Sequence, residues 1–200
     1  MLDSSRNVQN AHFHEVKRFV KTMAKLFRVA QYRSHGAVIS YGNRAEIFIK
    51  MDAHKNYRDF INAVDRVARI GGRRRTFTGL ELAEQVLTDF NEGARRKVPK
   101  VVLLLTAGPE DSSLDFENLK EVSKRLHNRN ALLLVVGIGP SLNSDSLAYL
   151  VSSSVNLFLA KTFEELRDKL VPLTNETCKN IGMKCLFYIS WLLSNEIINQ

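Results

Sequence analysis

Cysteine is nearly absent from this chain, with two in 200 residues, Cys178 and Cys185, both near the end. No histidine or further cysteine stands beside them, so they do not make a zinc site. They suit either a small disulfide or the opening of a truncated cysteine-rich module. Long apolar runs are missing too. Leu186–Leu193 is the best candidate, and its eight residues include Ser190, far short of a bilayer span. Met1-Leu2-Asp3 passes straight into polar residues without the apolar stretch of a secretory leader. Neither Gly-x-Ser-x-Gly nor Gly-x-x-x-x-Gly-Lys-Ser/Thr occurs, which removes the common hydrolase and phosphate-loop chemistries. His12, His14, His35, His54 and His127 are scattered without the spacing of a catalytic zinc. An enzyme is not expected.

Acidic residues are outnumbered, 21 against 29 Lys and Arg, for a formal charge of +8. That balance favours anionic partners and says nothing of the fold. Basic residues gather at Arg73-Arg74-Arg75, at Arg95-Arg96-Lys97 with Lys100, and at Lys124-Arg125 with Arg129. No aromatic residues interleave them as base stacking requires, so nucleic acid is a poor partner and these runs read first as solvated loops and helix ends. Arg73, Arg74 and Arg75 are the candidate contacts to a polyanion such as a sulfated glycan. Asn175-Glu176-Thr177 is an acceptor pattern for N-glycosylation, which would place the chain outside the cell.

Periodicity divides the chain into alternating elements. Val16, Val20, Met23 and Phe27 share one face of a helix over Val8–Val29. Gly36–Tyr41 and Ala45–Lys50 flank Gly42-Asn43-Arg44 as a β-hairpin. Helices are expected over Asn56–Ile70, stopped by Gly71-Gly72, and over Leu80–Phe90 with Leu82, Val86 and Leu87 inward. Thr76–Gly79 reads as a loop between them. Strand Val98–Thr106, helix Leu114–Arg129 with Phe116, Leu119, Val122 and Leu126 inward, and the uniformly apolar strand Ala131–Gly137 follow. A short helix at Ser144–Val151, a strand at Val155–Ala160 and a helix at Thr162–Leu170 complete a pattern that calls for a mostly parallel sheet with helices on both faces. In such folds ligands bind at the carboxyl ends of the strands. The turn Thr106-Ala107-Gly108 lies there, and a carboxylate at 107 would have made a convincing divalent-metal site.

The order Asp3-x-Ser5, hairpin, Gly71-Gly72, Thr76-x-Thr78-Gly79, then Val101–Thr106 with Ala107-Gly108, resembles the von Willebrand factor type A domain. Leu133–Gly139 is similar to that family's fifth strand and its turn. The likeness spans about residues 2–172, leaving 173–200 as a C-terminal appendage carrying both cysteines. It implies a doubly wound, mostly parallel sheet with one antiparallel edge strand and no enzymatic activity. It also implies adhesion or matrix interaction, with collagen or another matrix or adhesion protein as partner, often through a divalent cation such as magnesium. Asp3 and Ser5 match the first two cation ligands of the family motif and Thr76 matches the loop ligand. Asn7 replaces a serine and Ala107 replaces the second aspartate, so a vestigial or weak site without a bound cofactor is expected. Glu110 and Asp111 are near enough in sequence to reach back as an alternative carboxylate.

Only Met1-Leu2 precedes Asp3, so the first, central strand is expected to be truncated. The type A-like unit, residues 1–172, is therefore expected to be incomplete at its N-terminus, lacking an upstream strand and leader. Beyond Cys185, Leu186–Leu193 reads either as readthrough or as a helix packing Phe187, Trp191 and Leu192 on the domain. The leading function is a non-enzymatic, extracellular, protein-binding domain with impaired or absent metal binding. The alternative is an intracellular scaffold module of the same fold that binds nucleic acid or acidic proteins through its basic surface.

Overall fold

The computed structural model describes residues 1–140 and 142–180. Six strands form one sheet in the order β3-β2-β1-β4-β5-β6. They are β1 (Leu2–Asp3), β2 (Val38–Tyr41), β3 (Ala45–Ile49), β4 (Lys100–Thr106), β5 (Ala131–Ile138) and β6 (Leu157–Ala160). Every pairing is parallel except the β2–β3 hairpin at one edge. The central strand β1 is two residues long. Its two residues lie opposite Ser40 and Tyr41 of β2, and Leu2 lies opposite Leu105 of β4.

Both faces of the sheet are covered, which is why β5 shows no polar alternation. Leu134, Val136 and Ile138 point into a core shared with Phe13, Val16 and Met23 of α1 (Asn10–Leu26) and with Phe60 and Val64 of α2 (Tyr57–Asp65). Leu133 and Val135 point the other way. They pack with Leu80 and Ala83 of α3 (Thr76–Thr88) and with Leu119, Val122 and Leu126 of α4 (Ser113–Asn128). Of the positions expected to face inward, Leu82 and Phe116 are only half-buried. Phe116 instead sets its ring edge-on to Tyr149, centroids 4.6 Å apart.

Four element boundaries differ from the sequence reading, each for a local reason. Helix α2 stops at Asp65 rather than Ile70, because the buried Lys17 ammonium of α1 donates to the carbonyls of Asp65, at 2.9 Å, and Val67, at 3.5 Å. A cation there satisfies a helix C-terminus and releases the following residues as a loop. Helix α3 begins at Thr76, so the Thr76–Gly79 stretch is its first turn and not a loop. A Cβ at Gly79 would lie 3.3 Å from the Tyr41 side chain, so glycine lets this turn press against β2. Ser144–Val151 forms only a 3-10 turn, Ala148–Leu150, with Leu147 and Leu150 buried. The expected helix over Thr162–Leu170 is a 3-10 run, Glu164–Lys169, that leads into α5 (Leu170–Asn180).

Where a domain end was expected at Pro172, the backbone continues as one helix. Proline fits because it falls in the first turn of α5, where its missing N–H costs no hydrogen bond. Leu173, Thr174, Thr177 and Cys178 then pack inward, and Leu173 joins the α1 core. Asn175 is exposed, while the Thr177 hydroxyl is buried and donates to the Leu173 carbonyl at 2.7 Å. Cys185, the pairing of the two cysteines, and Leu186–Leu193 lie outside the described residues. Among the described residues no helix is long and apolar enough to cross a membrane.

Candidate functional site

Chain order places a crevice at the carboxyl ends of β1 and β4. After β1 the chain moves to β2 on one side, and β4 hands over to β5 on the other, so the loops leaving β1 and β4 part company there. Asp3 ends β1 and Thr106 ends β4. The loop carrying the three arginines is drawn to the same rim by backbone hydrogen bonds. Gly71 N–H donates to Ser4 O at 2.8 Å, Arg6 N–H to Gly72 O at 2.8 Å, Asn43 N–H to Gly71 O at 3.0 Å and Arg75 N–H to Gly42 O at 3.1 Å. Gly71 and Gly72 both have φ of +75°, a conformation that glycine adopts without steric cost. The hairpin turn sits so close that a Cβ on Gly42 would lie 2.2 Å from the Gly71 carbonyl oxygen.

Beneath this loop the Ser4 hydroxyl is fully buried. It donates to Tyr41 O at 2.9 Å and accepts from Ser40 Oγ at 2.8 Å and from Ile70 N–H at 3.1 Å. A short polar residue after Asp3 thereby ties the central strand, the hairpin strand and the arginine loop together.

Asp3, Ser5, Thr76 and Ala107 do converge on the rim. Asp3 is buried, and its Oδ1 accepts from Ser5 N–H at 2.9 Å while its Oδ2 accepts from Ala107 N–H at 2.9 Å. Position 107 thus contributes a backbone donor where a carboxylate would repel Asp3. Ser5 Oγ is buried without a hydrogen-bond partner, whereas Asn7 is exposed.

The residue that organises the rim is Arg74. Of the three consecutive arginines, Arg73 and Arg75 keep side chains 53% and 41% exposed, while Arg74 is only 3% exposed. The middle arginine is therefore not available as a polyanion contact. Its Nε donates to Asp3 Oδ2 at 2.8 Å and its Nη1 to the Pro109 carbonyl at 2.7 Å, with Asp111 Oδ1 3.6 Å from Nη1. Its own backbone N–H donates to Asp111 Oδ2 at 3.0 Å. A Cβ on Gly108 would stand 2.7 Å from Nη1, so the β4 turn has been left bare to admit the guanidinium. Burial works against the Arg74 charge, but the field and hydrogen bond of Asp3, with Asp111 adding to them, hold its pKa above the usual arginine value. Tyr41 stays a neutral phenol, pushed up by burial and then by Asp3, and donates to Leu105 O at 3.0 Å.

Both carboxylates flagged after Ala107 turn back toward the rim. Asp111 meets Arg74. Glu110 meets the first turn of α3, where its Oε1 accepts from Phe77 N–H at 3.2 Å. A carboxyl at a helix N-terminus is favourably placed. Burial nevertheless raises its pKa to about 7, opposed by hydrogen bonds from Thr76 and Phe77. Glu110 Oε2 and the Tyr149 hydroxyl are buried without partners, and burial followed by the Glu110 charge pushes the Tyr149 phenol up. On the outer lip Arg73 and Arg75 share one buried carboxylate, Asp115, at 3.8 and 3.6 Å. Leu114, the residue before it, is 71% exposed.

As a set of metal donors the rim is poor. A hard dication takes oxygen ligands at about 2.0–2.6 Å and needs negative charge. Asp3 offers one charge, and Arg74 already neutralises it from inside the site. Ser5 Oγ is a neutral oxygen left without a partner, Thr76 is engaged by Glu110, and the unpartnered Glu110 Oε2 belongs to a carboxyl whose other oxygen is taken by Phe77 N–H. Among the described residues no group of three or more His, Cys, Asp or Glu side chains gathers for a metal. These residues, so arranged, do not fit a divalent cation. Sequence reasoning marked Arg74 only as one of three surface arginines, and no signal in the row of three singles out the middle one.

The sequence profile of the von Willebrand factor type A domain matches residues 1–171. The chain belongs to that family. The human collagen alpha-6(VI) chain is 21% identical over 194 residues, 94% of this chain and 8% of that protein. The human von Willebrand factor A domain-containing protein 2 is 28% identical over 170 residues, 84% of this chain and 21% of its own length. Chicken matrilin-1 is 26% identical over 157 residues, 78% of this chain and 30% of its own length. The chain therefore spans less than a third of each of these relatives. Among solved structures, proximal thread matrix protein 1 of the mussel byssus superposes with a TM-score of 0.81 at 18% identity, covering 88% of this chain and 46% of that one. A form of the same protein with a zinc-occupied MIDAS motif gives 0.80 at 17% identity, with the same 88% and 46% coverage. The manganese-loaded TRAP protein of Plasmodium vivax gives 0.66 at 17% identity, covering 86% and 70%. Two of these type A structures thus carry a metal ion, and the likeness to them is one of fold.

Proposed function

We propose that this type A domain is a non-enzymatic, protein-binding domain of an extracellular adhesion or matrix protein, contacting collagen or another matrix protein through the rim at the carboxyl edge of its sheet. The observation that carries this reading is the outer lip itself. It presents a largely exposed leucine, Leu114, one residue before the Asp115 carboxylate that the exposed Arg73 and Arg75 share. An exposed apolar side chain and exposed arginines gathered at one helix start have the composition of a protein-binding patch, where a few such anchors carry most of the affinity. The relatives support the class of partner, since they are collagen VI chains, a matrilin and another protein built on this domain. They support a secreted location in the same way, and the exposed Asn175 acceptor agrees with it.

Surface plasmon resonance over immobilised collagen I, collagen VI and fibronectin tests the proposal. The wild-type chain is expected to bind at least one of them saturably. Leu114→Asp and Arg75→Glu should each weaken that binding by about tenfold, the scale of a residue worth more than 1 kcal/mol in an interface. Circular dichroism should stay unchanged. Absence of binding to all three, or variants that bind like wild type, would overturn it.

A further inference from the structure

We infer that Arg74 is an internal cation that takes the place of a divalent metal at Asp3, so that the rim of this chain is held in shape, and meets its partner, without a metal ion. The inference rests on the proposed reading of the rim as the binding surface, but its first test does not.

Three features of the guanidinium support this assignment. It is desolvated, at 3% exposure, and aimed at the equally buried carboxylate of Asp3. It bridges three chain segments, joining Asp3 at the end of β1 to Pro109 and Asp111 after β4 from its own place before α3. A bound dication is useful at such a point because it neutralises a carboxylate while tying separate loops together, and Arg74 does both with a charge that does not dissociate. The turn is also fitted to it. Ala107 adds no second carboxylate and turns its N–H to Asp3, and a side chain at Gly108 would collide with Nη1. A dication bound to Asp3 would lie within a few ångströms of the guanidinium, where like charges in a poorly solvated crevice repel strongly. The Ser5 hydroxyl is left without a hydrogen-bond partner, and one neutral donor does not offset that repulsion.

The first test is a calorimetric titration of the purified chain with manganese and with magnesium, together with melting curves in millimolar magnesium and in EDTA. No saturable heat and superimposable melts are expected. Saturable manganese binding that disappears in Asp3→Asn would overturn the inference. The second test isolates the charge pair. Arg74→Gln and Asp3→Asn alone each leave a buried charge without its partner and should lower the melting temperature by on the order of 10 °C, whereas the double variant should recover at least half of that loss. If either single variant fails to fold, a folded double variant carries the same meaning. Additive losses would show that the two side chains do not act as a pair and would overturn the assignment. A third arm separates this inference from the functional proposal. Binding to the matrix panel that survives EDTA supports both, and binding abolished by EDTA overturns the inference while leaving the function. Failure to bind any panel member overturns the function, and the titration and melts still decide the inference.

Discussion

Replacing Ser4 with alanine removes one hydroxyl from the knot beneath the rim, and the cost can be worked bond by bond. Three hydrogen bonds meet at Ser4 Oγ: to Tyr41 O, from Ser40 Oγ and from Ile70 N–H. They are not lost equally. Tyr41 O keeps the backbone N–H of residue 4, at 2.8 Å, and Ser40 Oγ keeps the Ala68 carbonyl, at 3.2 Å. Ile70 N–H is left without an acceptor at a partly buried position. An orphaned donor costs about 1–3 kcal/mol and each lost but replaceable bond about 0.5–1.5 kcal/mol. Partial exposure at Ile70 favours the lower ends, giving about 2–3 kcal/mol in total. For a domain of this size that corresponds to a fall in melting temperature of roughly 4–12 °C. Ser40→Ala is the control: it removes a single donor and should cost about 1 kcal/mol. Urea and thermal denaturation measure both, and hydrogen exchange should show faster exchange at the amides of Ile70 and Gly71 in Ser4→Ala only. A Ser4→Ala loss no larger than that of Ser40→Ala would refute the idea that this hydroxyl holds the arginine loop.

Two further expectations follow from other parts of the molecule. Leu173→Ala empties a fully buried position in the α1 core and should cost about 2–5 kcal/mol in urea unfolding. A loss under 0.5 kcal/mol would mean that α5 is not part of the domain's core. Glu110 gives a pH signature. Its pKa of about 7 lies above the ordinary 4.5, so the folded state holds the proton more tightly. Its stabilising contribution is complete below pH 4.5 and is lost as pH rises through about 7. Allowing for its partial exposure, the change is about 1–2 kcal/mol. The melting temperature of wild type should therefore fall relative to Glu110→Gln between pH 5 and 8, and parallel profiles would contradict this.

Much of the fold was legible because its signals are local. The hairpin strands, β4, β5 and the long helices announce themselves through turn residues and periodicity. The uniformly apolar Ala131–Gly137 declared a strand covered on both faces before any helix was placed against it. Boundaries that depended on remote partners were not legible. Helix α2 ends where a lysine 48 residues away reaches its carbonyls, and α3 starts early because Gly79 fits against a tyrosine on another strand. Pro172 does not interrupt the backbone for a similar reason: proline is a helix breaker in the interior of a helix and a good residue in its first turn.

The candidate site divides along the same line. The sequence carried the motif order whose resemblance to the family implies that Asp3, Ser5, Thr76 and position 107 meet at one rim, and a doubly wound sheet carries the ends of β1 and β4 to the same edge. The sequence also determined that a carboxylate is missing at 107. Only the tertiary structure decided what answers Asp3. Three adjacent arginines have the same chemistry on paper, and which of them turns inward is set by the hydrogen bonds that stitch residues 71–75 to the hairpin and to Ser4, and by the bare turn at Gly108. A buried charge is stable only beside its counter-charge, so the direction of one side chain makes this crevice a closed ion pair.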